Sequence, residues 1–174
     1  MANTYVKIAT ANAGAGGSSS LAFTSIPSTY TDLVVKISGR SASATFGNDG
    51  ITLEINGSAS NFSSKQLAGD GSTTSSASRT TNYIGALLDN AGATTNTFTN
   101  TEIYFPNYTS TTTAKSFSLD SVAENNATLA EADLVAVLWN PATQAAITSL
   151  TFKTVTASNY VQYSTATLYG ILKS

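Results

Sequence analysis

Residues Ser116 to Trp139 read SFSLDSVAENNATLAEADLVAVLW, and the fold class turns on how they are read. From Ser116 to Val122 (SFSLDSV) polar and apolar side chains alternate with a period of two, the pattern of a half-buried strand. Leu134 to Trp139 (LVAVLW) is apolar at odd and even positions alike, which predicts a central strand covered on both faces, and Pro141 ends it. Between them Glu124 to Asp133 (ENNATLAEAD) is polar and predicts one short helical turn. No run in the chain carries a helical period long enough for an amphipathic helix, so strands and turns are left to build the protein.

The same period of two extends outward from this stretch. Tyr5 to Thr10 (YVKIAT) predicts a first strand, and Leu21 to Ile26 (LAFTSI) a second, with Leu21 and Phe23 on one face and Pro27 blocking its continuation. In LVVKISG, Leu33, Val35 and Ile37 share one face, while Lys36 and Ser38 share the other. Ile51 to Ile55 repeats the pattern between two turn signals, Asn48-Asp49-Gly50 and Asn56-Gly57, whose residues tolerate positive φ. Further strands are expected over Asn82 to Leu88, Thr97 to Pro106, Ile147 to Val155 and Tyr160 to Leu172. The alternation slips between Phe98 and Ile103, which suggests a bulge. Ser58 to Ser78 is weakly patterned, and its GDGSTTSSAS segment, Gly69 to Ser78, reads as an exposed loop, as does DNAGATTN after Leu88. The expectation is all-β: an antiparallel two-sheet sandwich, jelly-roll-like, of about 8–10 strands.

Composition narrows the chemistry. The 174 residues suit one domain with a sizeable core. Charged residues make up only 10%, so Ser, Thr, Asn and Gly must supply the polar surface. With a net charge of −2 and scattered cations, no multi-phosphate footprint for nucleic acid is written here. No apolar stretch has the length of a membrane span. Cysteine and histidine are both absent. That removes disulfides, the usual general base, the usual zinc ligand and the usual pH switch.

Candidate chemical sites are few. Asp120, Glu124, Glu131 and Asp133 lie close in sequence. Two facing carboxyls would suit glycoside hydrolysis, and Asp and Asn oxygens would suit calcium, but the spacing fits no EF-hand or calcium repeat. Solvated loop carboxylates are the preferred reading, and no cofactor, metal site or catalytic residue is assigned. AGAGGSSS, Ala13 to Ser20, lacks the Lys-Ser/Thr of a phosphate loop and reads as a flexible turn. Trp139 and the tyrosines would suit a sugar-stacking platform, although in a charge-poor β protein such residues are usually core or interface.

Three stretches carry a resemblance: FTSIPSTYTDLVVKISGR (Phe23 to Arg40), the Ser116 to Trp139 segment, and NYVQYSTATLYGILK from Asn159. Together they resemble a family of small structural proteins of tailed bacteriophages. Members show an IP-x-x-Y-T-D-L motif, a polar stretch leading to a Trp-ending strand, and an S-T-A-T-L-Y-G-I segment. The resemblance implies a virion component without enzymatic activity, made in the host cytoplasm and placed on the capsid surface. A capsid decoration (cement) protein is the first reading, partnered by the major capsid protein and by copies of itself as a homotrimer. A head or tail fibre domain binding a host receptor or glycan is the alternative. Met1 to Ser20 is a candidate anchoring arm with a Gly-rich hinge, unless Tyr5 to Thr10 simply joins the sheet. Tyr5, Val6, Ile8, Tyr108, Tyr160 and Tyr163 are the candidate interface residues.

Overall fold

The computed structural model describes residues 4–44, 49–125 and 129–172. Among the described residues twelve strands are formed. The first six are β1 (Tyr5–Asn12), β2 (Leu21–Phe23), β3 (Asp32–Gly39), β4 (Asp49–Ile55), β5 (Phe62–Gly69) and β6 (Thr74–Arg79). The others are β7 (Tyr83–Leu88), β8 (Thr99–Phe105), β9 (Lys115–Asn125), β10 (Leu129–Trp139), β11 (Leu150–Thr154) and β12 (Thr165–Ile171). They make an eight-stranded sheet in the order β1-β12-β3-β8-β9-β10-β5-β6 and a four-stranded sheet in the order β2-β11-β4-β7. All pairings are antiparallel. The sheets form a sandwich that does not close into a barrel. Most connections cross from one sheet to the other, the exceptions being β5–β6, β8–β9 and β9–β10, so the jelly-roll-like alternation is present. The strand count exceeds the expected range because two strands hide in segments read as loop.

The core lies between the sheets, as the alternation requires. Leu33, Val35 and Ile37 of β3 point inward, as do Leu53 and Ile55 of β4, Phe152 of β11 and Leu168 of β12. Phe105 and Phe117 stack with ring centroids 4.6 Å apart. The strand-like STATLYGI segment is an interior strand: β12 lies between β1 and β3, so its backbone is paired on both sides. The Tyr30 ring covers Gly170 so closely that an added Cβ would stand 2.2 Å from it.

Several expectations are corrected. The helical turn at Glu124–Asp133 does not form: β9 runs through Asn125 and β10 from Leu129, paired as a long hairpin, while residues 126–128 lie outside the described residues. The β9–β10 ladder, joined by β5 from Ala132 onward, holds this polar stretch extended, so sheet pairing overrides local preference. The weakly patterned segment after Ser58 contains β5 and β6, and only residues 70–73 turn between them. Their alternation is inverted: Ser64 and Gln66 are buried, while Leu67 faces out. No bulge interrupts β8, whose register is continuous with both neighbours. Its inward Thr99 and Thr101 disguise the pattern. Their hydroxyls are engaged, Thr99 Oγ1 accepting from the Asp89 amide at 2.6 Å and Thr101 Oγ1 lying 2.8 Å from Ser121 Oγ. Tyr5 to Thr10 lies within β1, paired along β12, rather than free as an arm.

Arg40, just past β3, fixes the loop after β7. Its guanidinium donates to the carbonyls of Asn90, Ala93, Thr94 and Thr97. Glu124 Oε1 closes the same loop, accepting from the Thr94 amide and from Thr97 Oγ1. Burial holds the Asp89 carboxyl above the usual carboxylate range.

Candidate interaction surface

The opening stretch now defines a surface. Along β10 burial alternates strictly from Ala132 to Trp139. Asp133, Val135, Val137 and Trp139 face the core, while Ala132, Leu134, Ala136 and Leu138 face out. Covering on both faces, expected for LVAVLW, is therefore corrected: the described residues cover only one. Leu134 pairs directly with Leu67 of β5, and Ala132 with Val122 of β9. Leu67, Leu134, Val122 and Leu138 remain 63%, 59%, 44% and 37% exposed. An apolar stripe of this kind on a sheet face is a candidate contact site.

The stripe floors a shallow groove. Its broadest part, about 750 Å³, lies over Leu67, Ala132 and Leu134, between Asp120 of β9 and the hydroxyls of Thr74 and Ser76. A second part of about 400 Å³ continues along Leu67, Ala136 and Ser78. Lys65 lines that part, with its Nζ donating to Ser78 Oγ at 2.7 Å. The groove thus carries one cation and one anion flanking aliphatic side chains, with small hydroxyls as walls.

Beneath the stripe the inward face is polar at one end. Gln66 Nε2 donates to Asp133 Oδ1, and burial raises the Asp133 carboxyl above its ordinary range. Arg79 stacks on Tyr83 with Cζ 4.6 Å from the ring centroid.

The acidic cluster of the sequence is dispersed. Asp120 and Asp133 occupy opposite faces, because Asp120 is exposed opposite Leu134 while Asp133 is buried opposite Ser121. Glu124 serves the β7–β8 loop. Among the described residues no three Asp or Glu side chains gather as a metal site. Trp139 is buried, with its ring 6.5 Å from that of Phe62, so it offers no sugar platform. Asp70 caps the β5–β6 turn by accepting from the Ser72 and Thr73 amides. These bonds hold its carboxyl well below the usual range.

The candidate interface residues separate into two sets. Tyr108 and Tyr160 are corrected, since both are fully buried. Tyr108 donates its hydroxyl to the Pro27 carbonyl. Tyr160 exchanges backbone bonds with Ser18 beneath its buried ring, and burial raises its hydroxyl pKa. Tyr5 and Tyr163 are exposed, and Val6 and Ile8 are half-buried on β1, with Ile8 packing against the core. Sequence reasoning missed Leu67, Val122, Leu134 and Leu138 as surface residues. The signal was present in the two-faced apolarity of LVAVLW, but it was assigned to burial. No family model, curated protein or solved structure matches the chain.

Proposed function

We propose that this chain is a structural subunit of a tailed-phage virion, a decoration protein that docks on the capsid shell. The outer face of β9, β10 and β5 lies against the major capsid protein. The observation that carries this reading is the exposed Leu67–Leu134 pair and its flanking Val122 and Leu138 on a strand whose other face is core. The phage resemblance supplies the partner's identity, and the stripe supplies the need for one. Its aliphatic floor and hydroxyl rim match the composition of static protein contacts better than charge-steered encounters. The homotrimer expected from the sequence is one way to repeat this contact over a shell, and the docking face itself does not require it.

The test is a quantitative gel of purified particles combined with shell-binding of Leu134→Asp. Decoration predicts on the order of hundreds of copies per particle, since symmetric shells repeat their subunits. It also predicts at least about a tenfold loss of binding for the variant, as for a central interface residue. Full binding by Leu134→Asp removes the docking face. A fibre domain that binds a host glycan is the second reading, favoured by the hydroxyl-lined groove between Asp120 and Ser76. A few copies per particle together with glycan-array signal would select it.

A further inference from the structure

Four strands lie at sheet edges: β1 and β6 bound the larger sheet, β2 and β7 the smaller. An open edge is a template for another chain unless it is short, bulged or charged. Three of the four are blocked in these ways. The β1 register slips between Lys7 and Ala9, and Lys7 is exposed there. β2 has three residues. β7 shifts register against β4, and its Gly85 takes a φ of +79°. β6 has no register shift, and its one charge, Arg79, stands at its end. Its six residues, TSSASR, pair with β5 without a register shift from Thr74 to Arg79 and are mostly exposed.

We infer that β6 is a self-association edge: β6 of one copy pairs antiparallel with β6 of a second copy about a two-fold axis normal to the sheet. The inference deepens the docking reading, on which its purpose rests. Three features favour a second copy as the occupant. Small Ser and Ala side chains meet their like across the axis, and no like charges face each other at its centre. The charges sit at opposite ends of this edge, Asp70 in the turn before β6 and Arg79 at its close. Antiparallel pairing therefore sets the Arg79 end of each copy beside the Asp70 turn of the other, which keeps like charges apart. The axis also keeps outer face with outer face. Because Leu67 stands opposite Ser76, the joined sheet presents two apolar stripes on the same side. A pair would then engage a shell at two points, with the gain of linked binding. The pairing is two-fold, in place of the three-fold ring implied by the resemblance.

Sedimentation equilibrium of the purified chain tests it. The wild type is expected to dimerise with a Kd on the order of 10 µM, because a strand edge buries less area than a standard interface. Ser76→Lys, which sets a charge on an exposed outer position of the edge, is expected to weaken dimerisation at least about tenfold with unchanged thermal unfolding. Leu134→Asp is expected to leave the dimer intact. Because the chain has no cysteine, Ser76→Cys gives a second readout that does not depend on the lysine variant: a short bismaleimide should link two copies. A wild type that stays monomeric at about 200 µM, well above that Kd, overturns the inference. So does a Ser76→Lys variant that dimerises normally, a Ser76→Cys variant that fails to cross-link, or a dimer broken by Leu134→Asp alone. Shell binding is scored separately. A dimer that binds no shell removes only the docking reading, and a wild-type monomer that binds shells removes only the pairing.

Discussion

The outer face of the larger sheet has two halves that treat apolar side chains differently. On the β12-β3-β8 half, Val34 is fully buried although it points away from the core, because Tyr169 and Tyr104 stand opposite it on the flanking strands. Tyr104 donates its hydroxyl to Asp32 Oδ2 at 2.8 Å, and Tyr5 meets Tyr169 edge-on with ring centroids 6.2 Å apart. Lys36 and Glu102 close the layer with an ion pair at 2.8 Å, which raises the Lys36 pKa through their hydrogen bond. On the β9-β10-β5 half none of the described residues stands over Leu134 and Leu67. One half is finished by amphipathic rings with apolar bodies and polar tips. The other ends in aliphatic side chains flanked by serines. The difference teaches that a sheet face completed within the chain needs aromatic cover, and that the uncovered half is where a neighbour would do the covering.

Equivalent substitutions on the two halves give the sharpest test. Val34→Asp would bury an unpaired carboxylate and is expected to destabilise the fold by about 3 kcal/mol or more. Leu134→Asp, at an exposed site of the same sheet but opposite Asp120, is expected to cost only about 1 kcal/mol. Urea unfolding of both variants decides it, and equal losses would erase the distinction between the halves.

A smaller effect probes the inner side of the open half. Burial raises the Asp133 pKa above the ordinary aspartate value of 3.8, so the folded state takes up a proton before the unfolded chain does as pH falls. This group's contribution to stability therefore increases as pH drops from the raised value towards 3.8, and at neutral pH its buried charge opposes folding. Asp133→Asn keeps an acceptor for Gln66 and removes the charge. Its melting temperature is expected to exceed that of the wild type by about 2–4 °C at pH 7, with the gap narrowing towards pH 4. A gap that is constant with pH would assign the gain to something other than titration.

An effect of similar size belongs to the finished half. Tyr104→Phe keeps the ring over Val34 and loses the bond to Asp32, which still accepts from the Asn107 amide at 2.8 Å. A loss of about 1 kcal/mol in chemical unfolding is expected, the ordinary value for one hydrogen bond. A much larger loss would mean that the hydroxyl, rather than the ring, holds the cover in place.

Legibility in the sequence followed the same division of surfaces. Strands with aliphatic side chains on one face and polar ones on the other, such as LVVKISG and ITLEI, announce themselves, and both form where expected. β5 and β6 were not legible because their polarity is reversed, with Ser64 and Gln66 inside and Leu67 outside. β8 was blurred by inward threonines whose hydroxyls find partners only once Asp89 and Ser121 are in place. The candidate surface was visible as apolar residues on both faces of LVAVLW. Nothing local says whether the second cover comes from the same chain. Tyr108 and Tyr160 misled in the opposite direction, since buried tyrosines and contact tyrosines look alike until their surroundings are known.

The pairing of Tyr5 with Ile171 sets an order of events for folding. β1 has no partner in its sheet except β12, and β12 is also the strand that seals the flank of β3. β1 must therefore wait for β12, the strand furthest from it along the described sequence, before it can hydrogen-bond in this sheet. Such distant closure is slow, and it leaves β3 with a bare flank during the wait. Chaperone occupancy during synthesis, or a tendency to swap β1 between neighbouring molecules, would follow from this seam rather than from any weakness in the finished core.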